Sequence, residues 1–551
     1  MFNRRALLLV LLAIVCTGLN ALKPLHIDDA AYAYYSRQDA AHPLDPYGFD
    51  ILWYYEPQPA LEVLAPPVLP YTWAAARAPF GERPWAWKWA MLPWCLLLVG
   101  SVYALLRRFA PGVELPLAVM TVLSPAILPS INLMLDVPAL ALSLASVYLF
   151  LGACDRDSFG RAAAAGFVAG LAMQTKYTGV VAPAAMLLAA ATAGRWRLWP
   201  AAAVAAAQVF LSWEFLIALL YGQSHFLLSL RASAGSLLNK GALAAIFFSY
   251  LGGLAPLLVV LGMAALGVRR RWLAAAVALI LAGFALIVLF DGQFSGMVRP
   301  SPRLFGPIQT PEWSFLLSEV VFDAFAGGGV VVLVFVVRRL WSGDDRRGTL
   351  FLLLWLGLEA LAYYPLTPFP AARRVLGPLV VLTLLVGRLT ARTCTAPPAR
   401  RIVWALTACG AALGLAYFAL DFREAWAEEW GAERAAAWIG AQGGDGRVWY
   451  IGHYGFQYYA ESLGMRPAYP GMDPAHSPRK GDWLVRPDGR VGHQELDFDN
   501  PALEEVQRLT LDDPVPLRTV ACYYAGRAPL EHHEGPRMTV RIYRVVSDYD
   551  P

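Results

Sequence analysis

The chain has 551 residues, of which 58% are hydrophobic and only 16% charged, with a formal net charge of +4. Soluble domains carry about 25% charged residues, so this composition excludes an ordinary soluble enzyme and predicts an α-helical polytopic membrane protein. The small basic excess lies in arginines between apolar runs, where it reports topology and gives no argument for a nucleic-acid partner.

In chain order, apolar runs predict about 13 transmembrane helices, near residues 6–22, 87–106, 114–129, 137–153, 162–175, 178–194, 198–221, 242–267, 272–290, 315–337, 349–365, 375–388 and 402–420. The first follows Arg4 and Arg5 and has about 17 apolar residues, near the minimum for a crossing. It reads as an uncleaved span rather than a signal peptide, because no small residue stands where a cut would need one. The runs near 114–129 and 162–175 are the shortest.

Arginines cluster in alternate connections: Arg4 and Arg5, Arg107 and Arg108, Arg156 and Arg161, Arg195 and Arg197, Arg269 to Arg271, Arg338 to Arg347, and Arg388 to Arg401. The other short connections hold fewer basic residues, among them Lys176, Arg231, Arg373 and Arg374. Basic residues are retained inside, which predicts a cytoplasmic N-terminus. An odd number of spans then puts a large first loop, residues 23–86, and the tail outside. The expected division is a transmembrane domain over 1–421 and a small soluble extracytoplasmic α/β domain over 422–551, with the bacterial inner (plasma) membrane as the location. Cys522 is the one cysteine expected outside, so no disulfide framework is available there, and no CxxC or His-x-x-x-His spacing suggests structural zinc.

The first loop opens on Lys23-Pro24-Leu25-His26-Ile27-Asp28-Asp29. Residues 28–40, with Tyr32, Tyr34 and Tyr35, suit a short helix on the membrane surface, and residues 70–80 suit a second. The acidic pair reads either as the cap of that helix or as surface chemistry. His26 is expected to be incidental. Asp136, at the mouth of the fourth span, and Lys176, at the joint of two short spans, put opposite charges at the same face; either side chain can also snorkel to the interface. Arg373 and Arg374 read as boundary anchors or as anion ligands. Glu214 and Glu359 are the clearest acids within spans.

Several of these segments carry a family resemblance. They are Asp28-Asp29 after the first span; Pro66-Pro67-Val68-Leu69-Pro70-Tyr71 followed by Phe80-Gly81-Glu82; Met134-Leu135-Asp136-Val137-Pro138; Gly170 to Gly179 with Lys176; and Ala372-Arg373-Arg374-Val375-Leu376-Gly377-Pro378. In this order, over about residues 1 to 390, the chain resembles the C-type glycosyltransferases, in the bacterial branch similar to protein O-mannosyltransferases and the lipid A aminoarabinose transferase. Arg374 stands where that family more often has an aromatic residue.

The resemblance implies a GT-C-like fold and transfer of a sugar from a polyprenyl-phosphate donor to a glycan, lipid or protein acceptor, with membrane lipids as the surroundings. It implies Asp28 as the catalytic base, Asp29 as its neighbour, and inversion by a single displacement. Chemically, a carboxylate within hydrogen-bond reach takes the acceptor proton while fixed cations stabilise the leaving phosphate, for which Lys176, Arg373 and Arg374 are the candidates. Asp136 would orient the acceptor, hold Lys176, or bind a divalent metal with Asp28. Two acids far apart in sequence are a weak metal signal, so no cofactor is expected. The alternatives are a lipid or solute transporter or flippase without covalent chemistry, and a scaffold presenting the tail.

In the tail, residues 447–451, 482–485 and 538–545 read as strands and residues 456–463 as a short helix. The aromatic string from Gly452 to Tyr459 either stacks on a sugar or packs on its own core.

Overall fold

The structure is a computed structural model that describes residues 4–53, 55–63, 66–234, 241–295, 317–343, 345–367, 370–443, 446–488, 494, 496–519, 528–533, 535–549 and 551. Cys522 lies outside the described residues.

Among the described residues, nine helices are long and apolar enough to cross a membrane, from Arg4–Leu22 to Pro397–Gln442. A tenth crossing is a bent pair, Ile246–Leu254 and Pro256–Ala265, which meet at 68°. Pro256 lacks an amide N–H and its ring collides with the preceding turn, so the chain bends there. Two shorter apolar helices, Phe159–Met173 and Tyr177–Ala193, occupy the expected runs near 162–175 and 178–194. Phe159–Met173 lies tight against Trp199–Tyr221, because an added methyl on Gly166 would collide with the Ala202 backbone. Such small residues let helices approach where lipid supplies no hydrophobic drive.

The run expected as a span near 114–129 is different. Its helix, Glu114–Val122, has only 9 residues, and an irregular buried segment continues to Leu135. Glu114 pairs with Arg5 at one end of the first helix, at 2.8 Å. At that helix's other end, Asn20 and Lys23 donate to the carbonyls of Leu128 and Pro129, at 3.0 and 2.9 Å. The segment therefore traverses the same thickness as the first helix, half of it without helical hydrogen bonds. Irregular backbone is tolerated at that depth only where protein surrounds it, as here.

At the face bearing Asp28 the first loop folds into a platform. Its helix Asp29–Ala41 packs on a second helix, Val68–Phe80. The contact is made by Tyr32 edge-on to Trp73, ring centroids 5.7 Å apart, and by Arg77, which donates to Ala33 O and Ser36 Oγ. A small hairpin, β1 (Asp50–Leu52) and β2 (Pro57–Pro59), completes it.

The helix Pro397–Gln442, of 46 residues, extends about 69 Å and runs unbroken from the bundle into the tail. There it packs on a mixed sheet made of β3 (Val448–Tyr450), β4 (Arg466–Pro467), β5 (Trp483–Pro487), β6 (Leu503–Leu511) and β9 (Met538–Val545), in the order β4-β3-β5-β9-β6. A separate pair, β7 (Leu517–Arg518) and β8 (Glu531–His532), lies outside that sheet. The three expected strands are β3, β5 and β9, and the expected helix is Tyr454–Ser462. β6, the longest strand, carries Glu504, Glu505, Gln507 and Arg508 and offers no apolar run to read from sequence.

Candidate active site

The platform and the bundle meet where Ile27 takes a left-handed turn, φ +53°. Asp28 is the residue before the helix Asp29–Ala41, yet its side chain makes no capping hydrogen bond. Instead its Oδ2 accepts from Arg373 Nη1 at 2.9 Å. Arg373 sits on the short 3-10 turn Ala372–Arg374, just before the helix Leu376–Thr393. The same Nη1 lies 3.7 Å from Asp136 Oδ2, and Asp136 Oδ1 accepts from Lys176. Four segments far apart in sequence thus converge through Asp28, Asp136, Lys176 and Arg373, all largely buried.

A cavity of about 100 Å³ opens beneath this row. Asp136, Lys176, Arg373 and Arg374 give it a charged lining, and Leu140, Leu144, Val147 and Ala182 supply apolar wall. Burial and the neighbouring Arg374 lower Lys176 to about 7, although Asp136 opposes the shift. Arg374 is also lowered, by burial and then by Arg373. Cations crowded in this way gain from an added anion. Deeper in the cavity Glu359 accepts from Trp355 Nε1 at 3.0 Å, and an added methyl on Gly377 would collide with its carboxylate. An acid within an apolar helix is costly unless a polar space receives it, so Glu359 could have been tied to this cavity from sequence.

Asp29 goes elsewhere, which corrects the expectation that it sits beside the base in the same chemistry. Fully buried, it accepts from His26 N at 3.2 Å and lies 3.7 Å from Lys88 Nζ. Burial raises its carboxyl, against the pull of Lys88, Lys23 and His26. His26 is not incidental: its Nδ1 is 2.9 Å from Glu428 and its Nε2 3.8 Å from Asp421, which itself pairs with Lys23 at 2.7 Å. Glu214 belongs to a third group, accepting from Tyr177 and Ser224. The aromatic string near Gly452 packs inward: His453 lies against Trp53, with ring centroids 4.0 Å apart, and Phe456 is in the tail's own core.

Among the described residues no group of three or more His, Cys, Asp or Glu side chains is placed to hold a metal. Asp28 and Asp136 converge on the Arg373 guanidinium rather than on a space shared by carboxylates.

Residues 65–209 match the family described as dolichyl-phosphate-mannose-protein mannosyltransferase. That stretch contains Asp136 and Lys176. No curated protein matches the chain. Among solved structures, ArnT from Cupriavidus metallidurans bound to undecaprenyl phosphate aligns with 99% of this chain and 99% of its own, at 16% identity and a TM-score of 0.46. The Archaeoglobus fulgidus oligosaccharyltransferase in its apo form aligns at 14% identity and a TM-score of 0.50, over 86% of this chain. This chain spans only 65% of that protein's length. The chain is a multi-pass membrane protein with a GT-C fold, and over residues 65–209 it resembles the dolichyl-phosphate-mannose-protein mannosyltransferases.

Proposed function

We propose that the protein is a membrane glycosyltransferase that moves a sugar from a polyprenyl-phosphate donor to an acceptor hydroxyl or amine. The observation that carries this reading is the charged row of Asp136, Lys176 and Arg373 lining a cavity with apolar walls, with Asp28 joined to it through Arg373. A lipid phosphate matches both halves of that site, with its anion among the cations and its first isoprene units against the apolar wall.

In the reaction, the acceptor O–H or N–H gives its proton to the Asp28 carboxylate as the acceptor atom bonds to the anomeric carbon. The bond from that carbon to the phosphate oxygen breaks, and its electron pair leaves with the polyprenyl phosphate. Lys176, Arg373 and Arg374 stabilise the charge that grows on the leaving group, an effect larger in the transition state than in the ground state. Asp136 holds Lys176 and Arg373 in place rather than touching the sugar. Arrival of a phosphate draws Arg373 toward it and releases Asp28 for the acceptor. Attack from the side opposite the phosphate inverts the anomeric centre.

The site face is extracytoplasmic in this reading, in a bacterial inner membrane, with the N-terminus cytoplasmic. The placement of arginines supports it, since Arg5, Arg108 and Arg388 lie at the ends of their helices remote from Asp28. Residues 1–421 form the membrane unit and 422–551 the soluble unit, with Pro397–Gln442 common to both.

The test is sugar release from a panel of radiolabelled polyprenyl-phosphate monosaccharides by purified protein in detergent, with native membranes as acceptor. Transfer by the wild type and loss in Asp28→Asn is the expected result. A protein that moves label only across a sealed bilayer, without forming a new bond, overturns it in favour of transport.

A further inference from the structure

The tail packs on the first-loop segment that carries Asp28, and one carboxylate joins the two. Glu428, on the helix Pro397–Gln442, uses Oε1 to pair with His26 Nδ1 at 2.9 Å and Oε2 to accept from Gly455 N at 2.7 Å. His26 is two residues before Asp28, and Gly455 is the second residue of the helix Tyr454–Ser462, which packs on the platform helix Asp29–Ala41. That helix also holds Leu25 N through Tyr459 OH at 2.9 Å, Tyr34 OH through Glu461 at 2.7 Å, and Leu52 O through Gln457 at 2.8 Å.

The backbone carries strain at these same points. Among the described residues only Ile27, Asp157 and Tyr454 have positive φ without being glycine, at 53°, 51° and 59°. Two of the three flank the partners of Glu428: Ile27 follows His26 and Tyr454 precedes Gly455. A β-branched or bulky residue adopts that conformation only where its surroundings impose it. Gly455 is also required to be small, since an added methyl would collide with Leu25 O and with the Glu428 carboxylate. The turn at Ile27 is what sends Asp28 to Arg373 and Asp29 to Lys88.

We propose that Glu428 is a positioning residue for the transfer reaction, latching the tail onto His26 so that the Ile27 turn aims the Asp28 carboxylate into the donor site. The proposal rests on the reading of Asp28 as the base. It gives the soluble tail a direct part in catalysis without contact with the reacting atoms.

Four titratable groups face His26: Glu428 and Asp421 from the long helix, and Lys23 and Asp29 from its own segment. Burial lowers the imidazole, but Glu428 and Asp421 outweigh it and Lys23, and the net direction is upward. The latch is therefore complete when His26 is charged, at pH below the ordinary histidine range. It weakens as pH rises through the raised value.

The experiment compares full-length wild type, Glu428→Ala, Glu428→Gln, Gly455→Ala and Asp28→Asn in detergent. It measures kcat and KM with the active donor, binding of undecaprenyl phosphate, and hydrogen exchange of residues 23–34. Misplacing a catalytic group by about an ångström costs on the order of 10²-fold, so Glu428→Ala and Gly455→Ala are expected to lose kcat on that scale with donor KM unchanged. Undecaprenyl phosphate binding should be retained while exchange rises in residues 23–34. Glu428→Gln keeps an acceptor for Gly455 N and should recover part of the rate, with a pH profile that no longer shows the alkaline fall of the wild type. Wild-type kcat in Glu428→Ala overturns the latch, as does loss of undecaprenyl phosphate binding together with rate, which marks general unfolding. Full activity in Asp28→Asn overturns the assignment of the base instead, and so separates the two failures.

Discussion

Asp28 and Asp29 are neighbours in sequence and opposites in the structure. Asp28 pairs with Arg373, which lines the cavity and also approaches Asp136, whereas Asp29 is sealed among Lys88, His26 and the first turn of its own helix. Successive side chains at a helix start diverge by about 100°, so a pair of acids rarely serves the same purpose. A carboxylate paired with a cavity-lining arginine is coupled to whatever the cavity holds, while one enclosed by lysine and histidine serves the fold.

This contrast makes predictions of graded size. The largest is for Asp28→Asn, which should lower transfer by about 10²–10⁴-fold with modest change in unfolding temperature. Asp29→Asn should do the reverse, costing stability while leaving a measurable rate in steady-state assays. If the two phenotypes exchange, the assignment of the base is wrong.

Next is the sealed group itself. Lys23 and Asp421 are fully buried partners, and removing one leaves an uncompensated charge. Lys23→Met should destabilise the protein by roughly 3–5 kcal/mol, read from denaturation in detergent, and Lys23→Met with Asp421→Leu should recover most of it. Lys176→Gln, at the open site, should cost less stability and more binding.

For Lys176 the expected loss of undecaprenyl phosphate affinity is about 10–100-fold, by titration calorimetry. Because Lys176 is lowered to about 7, it binds fewer protons in the folded than in the unfolded state from that point up to its ordinary range. Its contribution therefore makes stability rise with pH across that window, and an arriving phosphate should draw a proton in. Calorimetry at about pH 8 in two buffers of different ionisation enthalpy should register proton uptake that Lys176→Gln abolishes.

The smallest effect concerns Asp39, on the platform, whose buried carboxylate oxygens meet no hydrogen-bond partner among the described residues. Burial raises it to about 7, so its folded state is destabilised as pH rises from the ordinary carboxylate range through that value. Asp39→Asn should raise the unfolding midpoint at about pH 8 and change it little at about pH 5.

Much of the architecture was legible because its signals are local. Apolar runs mark helices wherever they occur, and the strands β3, β5 and β9 showed the same way. The strand β6 was hidden by its polar residues, and the segment after Glu114 looked like a helix although its depth is spanned half by irregular chain. At the site, Asp136 and Lys176 were readable as opposite charges at one face. Arg373 was readable only as a boundary arginine or an anion ligand. His26 was misjudged, because nothing near it in sequence shows the two carboxylates that face it.

What the sequence alone determined is the membrane class, the approximate spans and the asymmetry of arginines, each a sum over neighbouring residues and their transfer to hydrocarbon. What only the tertiary structure decided is which acid joins the charged row at the cavity and which cation it meets. Asp28 and Arg373 stand 345 positions apart, and no local pattern encodes a contact across that distance. It arises when the bundle, the platform and the tail pack together, because burying a charge in so dry a place demands a partner.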